Sequence, residues 1–313
     1  MLMKAVAVAV FGGPEALGVV DLPEPHAGPG EVRIRVHAAT VNPTDIGLRA
    51  GMYRARLADR KPPYVPGMEA AGQIDEVGRG ADWQVGDRVL AIVLPTGPHG
   101  GAYAEQVVVP ADSVVQVPTG ADFVAASTLP MNGLAARQAL DKLALQPGRT
   151  LGVLGAAGAF GGYVVQLAKA DGLRVVADAS EADEDLVRQL GADIVVRRGE
   201  GIAQRIRDAV PEGVDGLADG TLLDGDALPA IRDGGGLAVV RGWEGPSERG
   251  ITIHSVRVSD YAHHQAALDR LREQVEAGVL TLRVARTFSS DQAAAAHRQF
   301  EAGGTRGRLV IEF

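Results

Sequence analysis

The run "TLGVL" (150–154) is followed at once by "GAAGAFGG" (Gly155–Gly162) and then by "YVVQLAKA". Few folds accept that order. The first piece has the unbroken apolar character of a strand covered on both faces, and the last spaces its apolar residues as a helix does. Between them the chain carries almost no side chains, so the backbone can turn tightly and be approached closely. Gly155, Gly158 and Gly161 make G-x-x-G-x-x-G, one residue removed from the G-x-G-x-x-G of dinucleotide-binding turns. A helix N-terminus placed there offers unpaired N–H groups and partial positive charge to a pyrophosphate. Ala156, Ala157 and Ala159 leave the approach open. A phosphate loop of the triphosphatase kind is excluded, because no G-K-[ST] follows.

An acid supports this reading. Asp178 ends the next strand, "RVVADAS", 17 residues after Gly161. That is close to the roughly 20-residue spacing at which a carboxylate meets ribose hydroxyls. A helix cap or a solvated loop acid is the plainer alternative. Turn and acid together point to a nicotinamide dinucleotide.

The segments that follow keep alternating between strand and helix patterns: "DEDLVRQLGA", "DIVVR", "IAQRIRDAV", "VDGLAD", "LPAIRDGG", "GLAVVRG". Such alternation predicts an α/β domain, a doubly wound parallel sheet with helices on both faces, over 123–263. Residues 1–122 are β-rich instead. In "EVRIRVHAATVN", Val32, Ile34 and Val36 share one face and Arg33, Arg35 and His37 the other, and turn-bounded strands at this spacing suggest a small barrel or sandwich. The helix "HHQAALDRLREQVEAG" has Leu268, Leu271 and Val275 as its stripe and Gly278 as its cap; a short helix opens at Ser289 or Ser290, and "GRLVIEF" is a last strand. That strand is expected to return to the first domain, so that 264–313 completes it.

Composition removes several functions. With no cysteine among 313 residues, disulfides, thiolate catalysis and cysteine-held zinc are excluded, and a cytoplasmic location fits. A net charge of −8 and 4% aromatic residues argue against nucleic acid as a partner. The opening "MLMKAVAVAVFGGP" alternates like a strand and lacks a small-residue cleavage pattern, so it is not taken as a signal peptide, and no run reaches the roughly 20 apolar residues of a membrane span. His99, His254, His263 and His264 have no ligand spacing, and no metal is expected.

"VNPTDIGLRAGMY", "PPYVPGMEAAGQIDEVG", "GGAYAEQVVVP", "ASTLPMNGLAARQAL", the glycine turn and "LGAD" occur in the order found in the zinc-independent quinone oxidoreductases of the medium-chain dehydrogenase/reductase superfamily, which the chain resembles over nearly its whole length. The resemblance implies a GroES-like substrate domain built from both chain ends, a Rossmann domain between them, and a homodimer. It implies NAD(P)H as hydride donor and a small quinone or α,β-unsaturated carbonyl as acceptor. It places Asn42 near nicotinamide and substrate, Tyr53 as proton donor, and Arg241 and Gly242 of "VVRGW" by the nicotinamide half; Phe160, in the glycine turn, is expected to pack by the pyrophosphate, with simple helix packing as its plain alternative. Asn42 and Met68 stand where zinc-dependent relatives carry metal ligands. A turn-stabilising Asn42, a purely packing Tyr53 and an exposed strand-end Arg241 are the corresponding plain readings.

The chain departs from its resemblance at several points. Ala135 replaces a common threonine, and Gly47 replaces a tyrosine, which predicts a roomier substrate pocket. NADPH-using relatives have a small neutral residue at Asp178 and a cation shortly after Ser180; here the segment is the acidic "SEADED". A carboxylate about 4 Å from a 2′-phosphate repels it by roughly 4 kcal/mol per unit charge at an effective dielectric near 20, more than one Ser180 hydrogen bond returns. Asp178 thus favours NADH, whereas the resemblance favours NADPH. An enoyl reductase of a biosynthetic pathway and a non-catalytic dinucleotide-binding protein are the alternative functions.

Overall fold

The structure, a computed structural model, describes residues 1–246 and 248–313. In chain order the strands are β1 (Leu2–Val8), β2 (Leu17–Pro23), β3 (Glu31–Thr40), β4 (Glu69–Val77), β5 (Arg88–Ile92), β6 (Gln106–Pro110), β7 (Val114–Gln116), β8 (Thr150–Leu154), β9 (Arg174–Ala179), β10 (Ile194–Arg197), β11 (Val214–Asp219), β12 (Ile231–Val240), β13 (Thr252–Val256), β14 (Val284–Ser289) and β15 (Arg308–Glu312). The helices are α1 (Pro43–Arg49), α2 (Phe123–Ala126), α3 (Pro130–Leu143), α4 (Ala159–Ala170), α5 (Glu184–Gln189), α6 (Ile202–Ala209), α7 (Gln265–Glu276) and α8 (Ala293–Ala302). They form two compact units, one of Met1–Met131, Ala262–Glu276 and Leu282–Phe313, the other of Asn132–Tyr261 and Ala277–Thr281.

The first unit is built on β3. Its Val32, Ile34 and Val36 are 0%, 0% and 2% exposed, so the period-2 pattern buries one whole face. Truncating Ile34 to alanine there would cost about 2–5 kcal/mol. Strand order is β14-β15-β3-β4-β5-β7, with β6 also paired to β3, and β1-β2 forms a separate hairpin. The last strand pairs antiparallel with β3, Val310 opposite Thr40, which carries Arg308 into the interior of this unit.

The second unit is a six-stranded sheet, every pair parallel, in the order β10-β9-β8-β11-β12-β13. Strands covered on both faces must be apolar throughout, and all six residues of β11 are buried. Numbered from β8, the order is 3-2-1-4-5-6, that of dinucleotide-binding sheets. Chain direction across the sheet reverses between β8 and β11, the place where sheets of this order have their crevice, at the C-terminal ends of the strands. One expectation is corrected: "LPAIRDGG" is not a helix. Its first part ends a 3-10 segment, Asp224–Ala230, and from Ile231 the chain is strand β12, with Gly234 at φ +70°. Pro229 and the Asp-Gly-Gly run disfavour continued helix, and Ile231 finds a strand partner in Val214.

Candidate active site

The glycine turn lies at the mouth of this crevice, and its three glycines differ in what they do. Gly155 leaves β8 at φ +76°, a conformation costing roughly 1–2 kcal/mol with a side chain. Gly161 is needed for packing, since a Cβ there would collide with the Gly155 carbonyl. Gly158 caps α4 without any side chain; a Cβ on it would meet only the Gly155 oxygen, at 3.1 Å, with nothing else within 4 Å. The first-turn amides of α4, at Ala159, Phe160 and Gly161, therefore have no side-chain cap. Phe160 packs on the β11 loop, where a Cβ on Gly220 would come within 2.9 Å of its ring.

Asp178 is 4% exposed and holds the turn. Its Oδ1 accepts from the Gly155 and Ala156 amides at 2.6 and 3.1 Å, and its Oδ2 lies 3.8 Å from Arg198 Nε. Burial raises its pKa against the pull of those two amides and of Arg198. Asp178, expected from its spacing to meet ribose hydroxyls, thus latches the turn with a cation beside it, and Gly155 and Ala156 spend their amides on it. Ser180 donates its hydroxyl to Asp183 at 2.5 Å.

Sequence reasoning missed two elements here. Arg198 follows β10, which reaches Asp178 only because β10 pairs with β9. The loop after β11 is organised by Asp219, which accepts from the Thr221 amide and hydroxyl at 2.7 Å each and from the Asp224 amide at 2.8 Å. It holds Leu222 and Asp224 left-handed, at φ +62° and +53°. The signal for it was the Asp-Gly pair at 219–220. Arg241 and Gly242 follow β12, two strands from β8, both left-handed at φ +66° and +71°.

Asn42 and Tyr53 belong to the other unit, before and after α1. Asn42 is fully buried, with both ends of its amide engaged: Nδ2 donates to Glu69 at 3.0 Å, and Oδ1 accepts from Arg308 at 2.7 Å. Arg308 also donates to Thr40 at 2.6 Å and, very closely, to Glu69, whose second oxygen accepts from the Met131 amide at 2.7 Å. Asp45 accepts from the amides of Asn42 and Gly67, 2.8 Å each, and from the Tyr103 hydroxyl at 3.3 Å. Tyr103 in turn lies 3.2 Å from His297 Nε2. Burial pushes Asp45 up to about 7 despite its two amides, and takes His297 down to about 3, with Arg49 adding to that shift. Glu69 and Arg308 were visible only as charges inside apolar runs, a sign of buried pairing.

Tyr53 is half-buried. A Cβ on Gly47 would meet Met52 Sδ at 3.1 Å and the Tyr53 ring at 3.2 Å. The room predicted over Gly47 is therefore taken by Tyr53 and Met52, a correction to the sequence reading. His99 and His263 each face a carboxylate, Glu31 at 3.0 Å and Asp112 at 2.9 Å.

The crevice, the glycine turn and the 3-2-1-4-5-6 sheet coincide with what known proteins show. Residues 28–119 match the alcohol dehydrogenase GroES-like domain, and residues 190–311 match the zinc-binding dehydrogenase domain. A quinone oxidoreductase of Lama guanicoe is 30% identical over 99% of this chain and 97% of its own. The chain belongs to the quinone oxidoreductase family of medium-chain dehydrogenases/reductases. A 2-haloacrylate reductase of a Burkholderia species is also 30% identical, over 99% of both chains. A mycobacterial protein solved with NADPH is similar in structure, with a TM-score of 0.87 and 27% identity over 99% of this chain and 100% of its own. The protein is a dinucleotide-binding oxidoreductase with a small-molecule substrate. Among the described residues no helix is long and apolar enough to cross a membrane.

Proposed function

We propose that the protein reduces a quinone or an α,β-unsaturated carbonyl with hydride from a nicotinamide dinucleotide, without zinc. The uncapped α4 N-terminus at the sheet's reversal point carries this reading. Gly158 leaves the approach to it open, with only the Gly155 oxygen within 4 Å of where a Cβ would stand. When bound, the cofactor supplies the hydride from its nicotinamide ring. The chain's part is to hold the phosphates with α4 amides, to keep the turn closed through Asp178, and to support the ring of Phe160 against Gly220. The acceptors named for the relatives, a quinone and a haloacrylate, are both conjugated. In such molecules the charge left by hydride addition moves to an oxygen, where hydrogen bonds stabilise it.

Zinc does not suit the residues at the metal-ligand positions of zinc-dependent relatives. Asn42 offers an amide already bound to Glu69 and Arg308, and Met68 a thioether that accepts from Thr44. Zn²⁺ takes thiolate, imidazole or carboxylate. Asn42 contributes by fixing the start of α1, and Tyr53 supplies the proton to the reduced acceptor. Both dinucleotides are accepted: Arg198 offsets the charge of Asp178, so a 2′-phosphate meets a neutralised pair. The outer edge of β13 has no partner among the described strands and is where a second copy adds to form a homodimer. The lack of cysteine supports a cytoplasmic enzyme.

A steady-state panel of quinones and enones with each cofactor, run on enzyme treated with a chelator, tests the reading. Turnover unaffected by chelation is expected. Loss of turnover on metal removal, or no turnover on any conjugated acceptor, contradicts it.

A further inference from the structure

The residue after β12 is an exposed arginine in a left-handed conformation. Glycine adopts that conformation at no cost, and Arg241 holds it with no hydrogen bond or ion pair to any described residue. The backbone on either side is fastened. Val239 is fully buried in the sheet, and the Trp243 indole covers Gly225 and Gly245 so closely that a Cβ on either would touch it. Beside it stands a second cation. Arg257 Nη2 would lie 3.9 Å from a Cβ on Gly242. The Arg257 backbone is clamped by buried Gln138, which accepts from its amide at 2.6 Å and donates to its carbonyl at 3.0 Å. Glu244, 81% exposed, is 3.6 Å from Arg257 and makes only a loose pair.

Sheet order says which half of the site this is. β9, which carries Asp178, lies on one side of β8 and β11 on the other, and in sheets of this order the adenosine half lies on the β9 side. The opposite half of a dinucleotide runs toward β11 and β12, the latter about 10 Å from β8 at two strand spacings. Arg241 and Arg257 thus stand on the hydride-donating side, in a chain whose net charge of −8 repels acids.

We infer that Arg241, seconded by Arg257, binds the carboxylate of an acidic acceptor, an α,β-unsaturated carbonyl compound that also carries a carboxylate. This rests on the reductase reading above. In the reaction hydride adds to the alkene carbon β to the ketone, the alkene pair moves to form the enolate C=C, and the carbonyl π pair moves onto oxygen. A proton then restores the ketone and the nicotinamide is left oxidised. The carboxylate is unchanged; the arginines neutralise it and fix its place.

The test compares 4-oxo-2-pentenoate with its amide, and a neutral quinone as third acceptor, on wild type, Arg241→Gly and Arg257→Met. Arg241→Gly removes the cation while relieving the backbone, so its folding is secure. It should lower kcat/KM for the acid about 10- to 100-fold more than for the amide or the quinone, the range of a charged hydrogen bond. Affinity of the cofactor-saturated enzyme for 4-oxopentanoate should fall equally, and Arg257→Met should give a smaller loss of the same kind. Equal losses on acid and amide overturn the inference, as does a loss of cofactor affinity, which would assign Arg241 to the dinucleotide phosphates. Quinone turnover by a wild type indifferent to acceptor charge overturns it and leaves the reductase reading standing. No turnover on any of the three removes both.

Discussion

Asp178 shows how one side chain changes meaning once its neighbours are known. Its place at the end of β9 was readable from spacing, but its partners were not, because they arrive through strand pairing. With Oδ1 shared by two turn amides, Asp178→Ser leaves both donors unpaired, at about 1–3 kcal/mol each when buried. Affinity for NADH and NADPH should fall together in fluorescence titrations; a gain for NADPH alone would return Asp178 to the role of selector. Arg198→Ala should instead weaken NADPH about tenfold and NADH little, and equal losses would contradict the neutralised pair. His297 gives a pH test. Its folded pKa of about 3 lies below the ordinary 6.5, so between these values the unfolded chain binds a proton that the folded one does not. Stability is therefore full above about 6.5 and falls toward pH 3, by up to about 1.4 kcal/mol per pH unit. Asp45, raised to about 7 from 3.8, works in the opposite sense, losing stability as pH rises between those values. His297→Gln should make the acid side of the thermal-stability profile shallower. An unchanged profile would mean that His297 is protonated in the fold.

At the level of elements, the strand–turn–helix from 150 to 170 was legible because three signals agreed: an apolar strand, glycines at the turn and a helical period after it. "LPAIRDGG" was misread because its apolar residues fit a short helix as well as a strand, and only pairing with β11 decides between them. The turn's glycines are separable by experiment. Gly161→Ala forces a methyl onto the Gly155 carbonyl and should displace α4, lowering both the melting temperature and cofactor affinity. Gly158→Ala should keep the melting temperature within a few degrees. Equal destabilisation by both would show that the turn packs differently from the arrangement described.

Across the whole molecule, the β-rich and α/β sections were readable from periodicity, whereas the return of the last strand was expected from the resemblance and not from any local pattern. The buried polar network around Asn42 was not. Thr40, Asn42, Asp45, Glu69, Tyr103, His297 and Arg308 come from five separated stretches of chain and meet only in the folded unit. No local pattern encodes such a meeting. What the chain does with a dinucleotide depends on the bare end of α4, and Gly158→Asp probes it directly by placing a carboxylate in that approach. Titration of NADH and NADPH into wild type and this variant, each with its circular dichroism recorded, should show binding to wild type and at least a hundredfold loss in a folded Gly158→Asp. Wild-type affinity in that variant would contradict the account.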